Sequence, residues 1–451
     1  MSANLSPLSI DSHRPAPVAR WFGPIANAGR SLSRGAAWTI AGTAGFRVLA
    51  LVTMILVGRL LGPADFGALG LVQSTLGVAA LLAGIGFGNA STRFVAHYAD
   101  IDPERAGRIA GLLSLSSLTA ISLVTVALLV GAHGLAKLIL GDADLNGPLM
   151  LGALLVATWS LRGVQNGLWT AVDGFRTLAI LNLLDGLLSL LATIALVSFF
   201  GLGGAIAGLA LGSGLAWVLG EIAIRRALRQ RGVRLQYRGA WQERKLLVAY
   251  ALPSTMSGLV TTPVLWVVMA YVSRVEGQAA LGLYNAAYQW HGPAFFIPTM
   301  LTVVSMPRLV KAWSANDSTT FRAISAWLYF AVLLLTVPLA LAGSLASRHI
   351  MALYGEAFAA AAPMLVLLLA AAPFHALWRV SATLLYGMDK PWMVLASNLL
   401  WAVVLGLFTA LAIGEWGTTA LAAGFLAAYV ASSAGCLIGV GVSAKRMRSK
   451  A

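Results

Sequence analysis

The sequence predicts an all-α membrane protein of about twelve transmembrane helices, set in two six-helix bundles related by a pseudo-two-fold along the membrane normal, with a central cavity between them. Three observations lead there. Of 451 residues, 59% are apolar and only 10% charged, and the mean hydropathy of +0.82 lies far outside the makeup of a water-soluble domain. Apolar stretches of roughly twenty residues, enough to cross the hydrocarbon as a helix, recur along the whole chain. A short motif of the first half returns in the second at a fixed offset, which points to an internal repeat.

Charges and Gly/Pro breaks delimit the expected spans at 36–57, 67–90, 108–130, 148–170, 178–200, 204–224, 246–272, 282–306, 323–345, 360–386, 391–413 and 417–442. Ahead of them, residues 1–35 hold Pro7, Pro15, Pro17 and Pro24 among Arg14, Arg20 and Arg30 without an apolar core. This segment is expected to be a disordered cytoplasmic tail and not a signal peptide. The first bundle then covers 36–224, a basic linker 225–245, the second bundle 246–442, and a basic cytoplasmic tail 443–451.

The net charge of +15 invites a nucleic-acid reading, but its placement answers to topology. Of the 31 Lys and Arg, 24 fall on the face that carries both termini, four (Arg59, Lys137, Arg274, Arg348) on the other, and three (Arg47, Arg162, Arg379) inside spans. Basic residues gather on the cytoplasmic side of membrane proteins, so both termini are expected in the cytoplasm, with no nucleic-acid partner. The longest polar connection, the linker, is too short to fold as a catalytic domain. The single cysteine, Cys436, permits neither an intrachain disulfide nor a zinc knuckle. Walker A, Gly-x-Ser-x-Gly and His-Glu-x-x-His motifs do not occur. The reading is a transporter without a cofactor or metal centre, not an enzyme.

The repeat sets Arg59-Leu60-Leu61-Gly62 and Gly67 against Arg274-Val275-Glu276-Gly277 and Gly282, and Arg93-Phe94-Val95 against Arg308-Leu309-Val310, 215 residues apart. Arg162 in span four and Arg379 in span ten correspond at an offset of 217. An even number of spans per repeat leaves both copies in the same orientation, with a cavity between them.

The stretch Gly58-Arg59-Leu60-Leu61-Gly62-Pro63-Ala64-Asp65-Phe66-Gly67, after a first helix opened by Arg34-Gly35-Ala36-Ala37-Trp38, resembles the start of the polysaccharide-repeat (Wzx-type) flippases of the multidrug/oligosaccharidyl-lipid/polysaccharide (MOP) exporter superfamily. The resemblance implies a carrier that moves undecaprenyl-diphosphate-linked oligosaccharide repeat units across the bacterial inner membrane by alternating access, for exopolysaccharide, capsule or O-antigen synthesis. It also implies a lipid-linked oligosaccharide as substrate and a polysaccharide polymerase and export machinery as neighbours in the pathway; a monomer is expected.

Ionisable groups at membrane depth are expensive and usually face a cavity or a partner. Arg47, Arg162 and Arg379 are the candidate binders of an anionic headgroup, because a guanidinium takes phosphate oxygens two at a time and stays charged. For Arg162 and Arg379 the alternative is snorkelling or pairing with a nearby carboxylate, Asp173 or Asp185 in the case of Arg162. Asp185, with Asn182 one turn before it, could hold a coupling ion, H⁺ or Na⁺, or could simply pair with Arg162. Tyr288, Gln289, Trp290, His291 and Trp378 are candidates for a glycan-facing wall, since aromatic faces stack on sugars and amides bond hydroxyls; an interfacial aromatic belt is the other reading. Gly84-Gly88 and Gly204-Gly208-Gly212 have the spacing of close helix packing. Prolines crowd the second half, so spans seven, eight and ten are expected to bend while the first bundle moves more rigidly. The competing functions are a cation-coupled multidrug exporter, which calls for an acidic cavity, and a membrane glycosyltransferase or ligase, whose best available carboxylates, Asp142, Asp144 and Glu356, stand in short outer loops.

Overall fold

A computed structural model describes residues 25–244 and 260–448. Helix follows helix, and there is no β-strand among the described residues. The first half contains α1 (Ile25–Leu82), α2 (Ile85–Ala90, continued by a π turn at Ser91–Val95), α3 (Pro103–Gly134), α4 (Asn146–Ala171) and α5 (Phe175–Gln230). The second contains α6 (Thr261–Tyr288), α7 (His291–Ser314), α8 (Ser318–Leu345), the short α9 (Ser347–Ala352), α10 (Ala362–Gly387), α11 (Pro391–Trp416) and α12 (Thr419–Arg448). Nine described segments are long and apolar enough to cross a membrane. Three of them, α1, α5 and the run α6 to α7, are double-length and turn at Gly62, Gly201 and Gly277, so the nine hold the twelve crossings expected. Residues 1–24, the linker end at Lys245, the start of span seven at 246–259 and the C-terminal 449–451 lie outside the described residues.

Two boundaries differ from the sequence reading. Helix α1 opens at Ile25, inside the segment expected to be unstructured, because Ala26, Ala28, Arg30, Leu32 and Arg34 are helix formers that extend the first span. Helix α5 runs on to Gln230, so the first part of the basic linker is helical. The rest of the linker lies along α3: Gln236 N donates to Gly107 O at 3.1 Å, and Glu243 receives Arg105 Nε at 3.0 Å. That hydrogen bond and charge hold the Arg105 guanidinium above its ordinary value.

The duplication is visible in the backbone. Gly62 (φ 74°, ψ 176°) and Gly277 (φ 84°, ψ 169°) turn the chain identically, in a region that an L side chain resists. Further left-handed residues recur in pairs 216 apart: Asp173 with Asp389, and Gly201 with Gly417. Around Gly62 and Gly277 the halves meet reciprocally. A Cβ on Gly67 would strike the Gln278 carbonyl and approach Gly282 N to 2.8 Å, and one on Gly282 would strike the Pro63 carbonyl and approach Gly67 N to 3.0 Å. Because each contact maps onto the other under the repeat, the pseudo-two-fold axis passes between these two glycines.

This turn-side face, opposite the termini, is sealed by ring packing. Phe66 of α1 is 2% exposed and stands edge-on to Tyr354 and Phe358 of the second half, each at 5.8 Å between ring centroids. Arg59 Nε donates to Leu353 O and Gln278 Nε2 to Asp142 Oδ2 across the same junction. Toward mid-depth Trp266 Nε1 donates to Thr75 Oγ1 at 2.9 Å. Gly282→Val is therefore expected to force the bundles apart at this face; spin labels on the α3–α4 and α9–α10 loops would report a longer distance, and an unchanged distance would contradict the reading.

Within the first bundle, Gly204, Gly208 and Gly212 let the two arms of α5 touch through backbone, against Val197, Thr193 and Ser189. Gly84 plays a different part from the packing role expected: with φ 131° it is the break between α1 and α2. In the second half Pro298 and Pro307 lie inside α7, Pro338 inside α8 and Pro373 inside α10, while Pro253 falls outside the described residues.

Candidate functional site

At mid-depth, where the junction ends, a cavity of about 690 Å³ opens between α1, α4, α5 and the end of α6. Arg47, Arg162, Asn166, Asn182, Asp185 and Gln289 bring polar groups to it. Arg162 and Asp185 are 5% and 7% exposed and pair directly, Nη2 to Oδ2 at 3.1 Å. The pair is completed by hydrogen bonds. Arg162 Nη2 also donates to Asn182 Oδ1 at 3.1 Å and Nη1 to Gln165 Oε1 at 3.4 Å, while Ser189 Oγ donates to Asp185 Oδ1 at 3.3 Å. Gln165 is held in turn by Trp217 O at 3.0 Å, with Gly220 leaving it room. A buried ion pair is tolerated only when its spare lone pairs and protons are satisfied in this way.

Arg47 is different. It lies on α1 facing the cavity, and among the described residues no carboxylate pairs with it. Its guanidinium rests 5.2 Å from the ring centroid of Phe296 on α7 and near Gly292, so it reaches across to the second bundle by a cation–π contact. With Arg162 and Asp185 cancelling, Arg47 leaves this cavity one net positive charge.

The third arginine stands apart from the shared chamber expected for all three. Arg379 lines a separate cavity of about 360 Å³ in the second bundle, with Trp378, Thr302, Thr383, Tyr386 and Asn398. The expected aromatic wall is likewise divided. Gln289 lines the central cavity, but Tyr288 and His291 pack inside the second bundle against Tyr284, Phe425 and Tyr429. His291 accepts or donates at 2.9 Å to His375 and bonds Leu368 O through Nδ1 at 3.0 Å; a carbonyl only accepts, so Nδ1 carries the proton and a neutral His291 receives His375 Nδ1–H at Nε2. Trp378 Nε1 donates to Ser397 Oγ at 2.9 Å. Trp290 is half-buried, with its indole N–H directed toward the Tyr354 hydroxyl. The sequence groups His375 with this aromatic cluster, but Asn398 escapes it, although Asn398 lies 216 residues after Asn182 and the repeat alone points to it.

Residues 32–313 match the model of a family described as polysaccharide biosynthesis protein. The chain belongs to that family. Other relatives are 27% identical: the lipid III flippase of Escherichia coli (strain K12), over 64% of this chain and 70% of its own, and the EPS I polysaccharide export inner membrane protein EpsE of Ralstonia nicotianae, over 48% and 50%. Among solved structures, an inward-facing multidrug resistance MATE family transporter of the MOP superfamily superposes with a TM-score of 0.71 at 14% identity, covering 91% of this chain and 98% of its own. The lipid II flippase MurJ in an inward closed conformation gives 0.71 at 15%, covering 90% and 87%. This member of the polysaccharide biosynthesis family thus has the MOP transporter fold, and its named relatives are transport proteins, not enzymes.

Proposed function

We propose that this protein is a flippase that carries a lipid-linked oligosaccharide with an anionic headgroup, an undecaprenyl diphosphate, from the cytoplasmic to the outer leaflet of the bacterial inner membrane. The observation that supports this reading best is Arg47: a cation without a carboxylate partner among the described residues, at mid-depth, in a cavity bounded by both bundles. Sugars and a diphosphate cannot enter hydrocarbon unaided, whereas a wet, cationic chamber with amides at Asn166, Asn182 and Gln289 substitutes for their hydration. A multidrug exporter of cations would want the opposite charge there.

The distribution of Lys and Arg supports a cytoplasmic placement of the face bearing the termini. The bundles are sealed on the opposite side, so in this conformation the cavity is loaded from the cytoplasmic leaflet. Spans seven, eight and ten, rich in proline, flex as the seal passes from one face to the other. An H⁺ or Na⁺ gradient is the energy source this reading favours, and Asp185 is its candidate ligand once the Arg162 pair opens. The test is reconstitution in liposomes with a fluorescent polyprenyl-diphosphate oligosaccharide. Protein-dependent passage to the far leaflet is expected, and passage no faster than in protein-free vesicles would overturn the assignment.

A further inference from the structure

We propose that the cavity around Arg379 is a second anion site, shaped for a single phosphate-class group and distinct from the central cavity. The repeat supplies the argument. In the first bundle Arg162 of α4 faces α5, which offers Asn182 and, three residues on, Asp185. In the second, Arg379 of α10 faces α11, where the residues 216 positions later are Asn398 and Trp401. The cation and the amide are kept. The acid is replaced by an indole, and Trp401 Nε1 is buried without a hydrogen-bond partner among the described residues.

No other carboxylate can take the place of Asp185. The acids of the second half are Glu276, beside the Gly277 turn inside α6, and Asp317, Glu356, Asp389 and Glu415, at helix ends or in connecting loops. Asp389, on the same side, is ten residues from Arg379, roughly 15 Å along a helix axis and beyond ion-pair reach. Arg379 Nε is buried with no hydrogen-bond partner among the described residues. A guanidinium at membrane depth with neither an acid nor a full set of acceptors is costly to keep, and an anion relieves that cost. Around it, the Asn398 amide and Tyr386 hydroxyl offer further donors. At about 360 Å³ against 690 Å³ for the central cavity, the pocket suits a phosphate and not a string of sugars. Such a group could come from a lipid headgroup in the adjacent leaflet or from solution.

The experiment measures equilibrium binding of two probes, inorganic phosphate and geranylgeranyl phosphate in detergent micelles, to the purified full chain. An Arg47→Ala background removes the central cation, so this site is read separately from the transport function. In that background, adding Arg379→Gln is expected to weaken binding at least tenfold. Asn398→Asp, nearly isosteric, sets a carboxylate beside the guanidinium and is expected to do the same; it carries the test if Arg379→Gln does not fold. Weakening for both probes supports the site with a soluble source, and weakening for geranylgeranyl phosphate alone supports it with a lipid source. Equal binding by the background and Asn398→Asp proteins, for both probes, overturns the proposal.

Discussion

Arg47→Ala is expected to bring transport to background while leaving the protein folded and at its normal level in the membrane. Among the described residues the side chain has no carboxylate to abandon, so its removal strands no buried partner there and costs little stability. The loss falls on the ligand: truncating one member of a desolvated charge pair typically costs about 2–5 kcal/mol, at least tenfold in affinity. Arg47→Lys keeps the charge but not the planar fork or the full contact with Phe296, and partial activity is expected. Leaflet-to-leaflet movement in liposomes, with membrane abundance as the control, decides; full transport by the alanine variant would remove the basis for the headgroup assignment.

Asp185→Asn has the opposite profile, a stability defect first. It leaves Arg162 charged, 5% exposed and without its counterion. Breaking a buried pair from one side costs about 3–5 kcal/mol, whereas removing both charges costs far less. The double variant Arg162→Gln, Asp185→Asn is therefore expected to recover most of the lost unfolding temperature in detergent. If Asp185→Asn kept wild-type stability, the pair would not be a structural bolt. Ion flux separates the roles: substrate-driven flux that persisted in the double variant would end any coupling role for Asp185.

Much of the scaffold was legible because lipid imposes simple rules. Span length, basic loops and the Gly62 and Gly277 repeat are one-dimensional signals, and they led to twelve crossings and two matched halves. The sites were less legible, since depth along a helix can be read from sequence but the direction a side chain faces cannot. Arg162 and Arg379 occupy matching depths, yet one is neutralised inside the first bundle and the other opens onto a pocket of the second. Tyr288, Gln289 and His291 are sequence neighbours, and only Gln289 reaches the central cavity because successive helical residues point about 100° apart. The His291–His375 contact joins residues 84 positions apart on α7 and α10 and carries no local signature.

The seam of Phe66, Tyr354 and Phe358 sets how opening responds to conditions. To discharge cargo on the far side, these interlocked rings must separate and meet water, and their attraction is predominantly apolar. Apolar adhesion loosens on cooling and is little affected by ionic screening. The gate is thus expected to hold its strength across a wide range of salinity, leaving salt to act chiefly on how cargo is captured at the entrance.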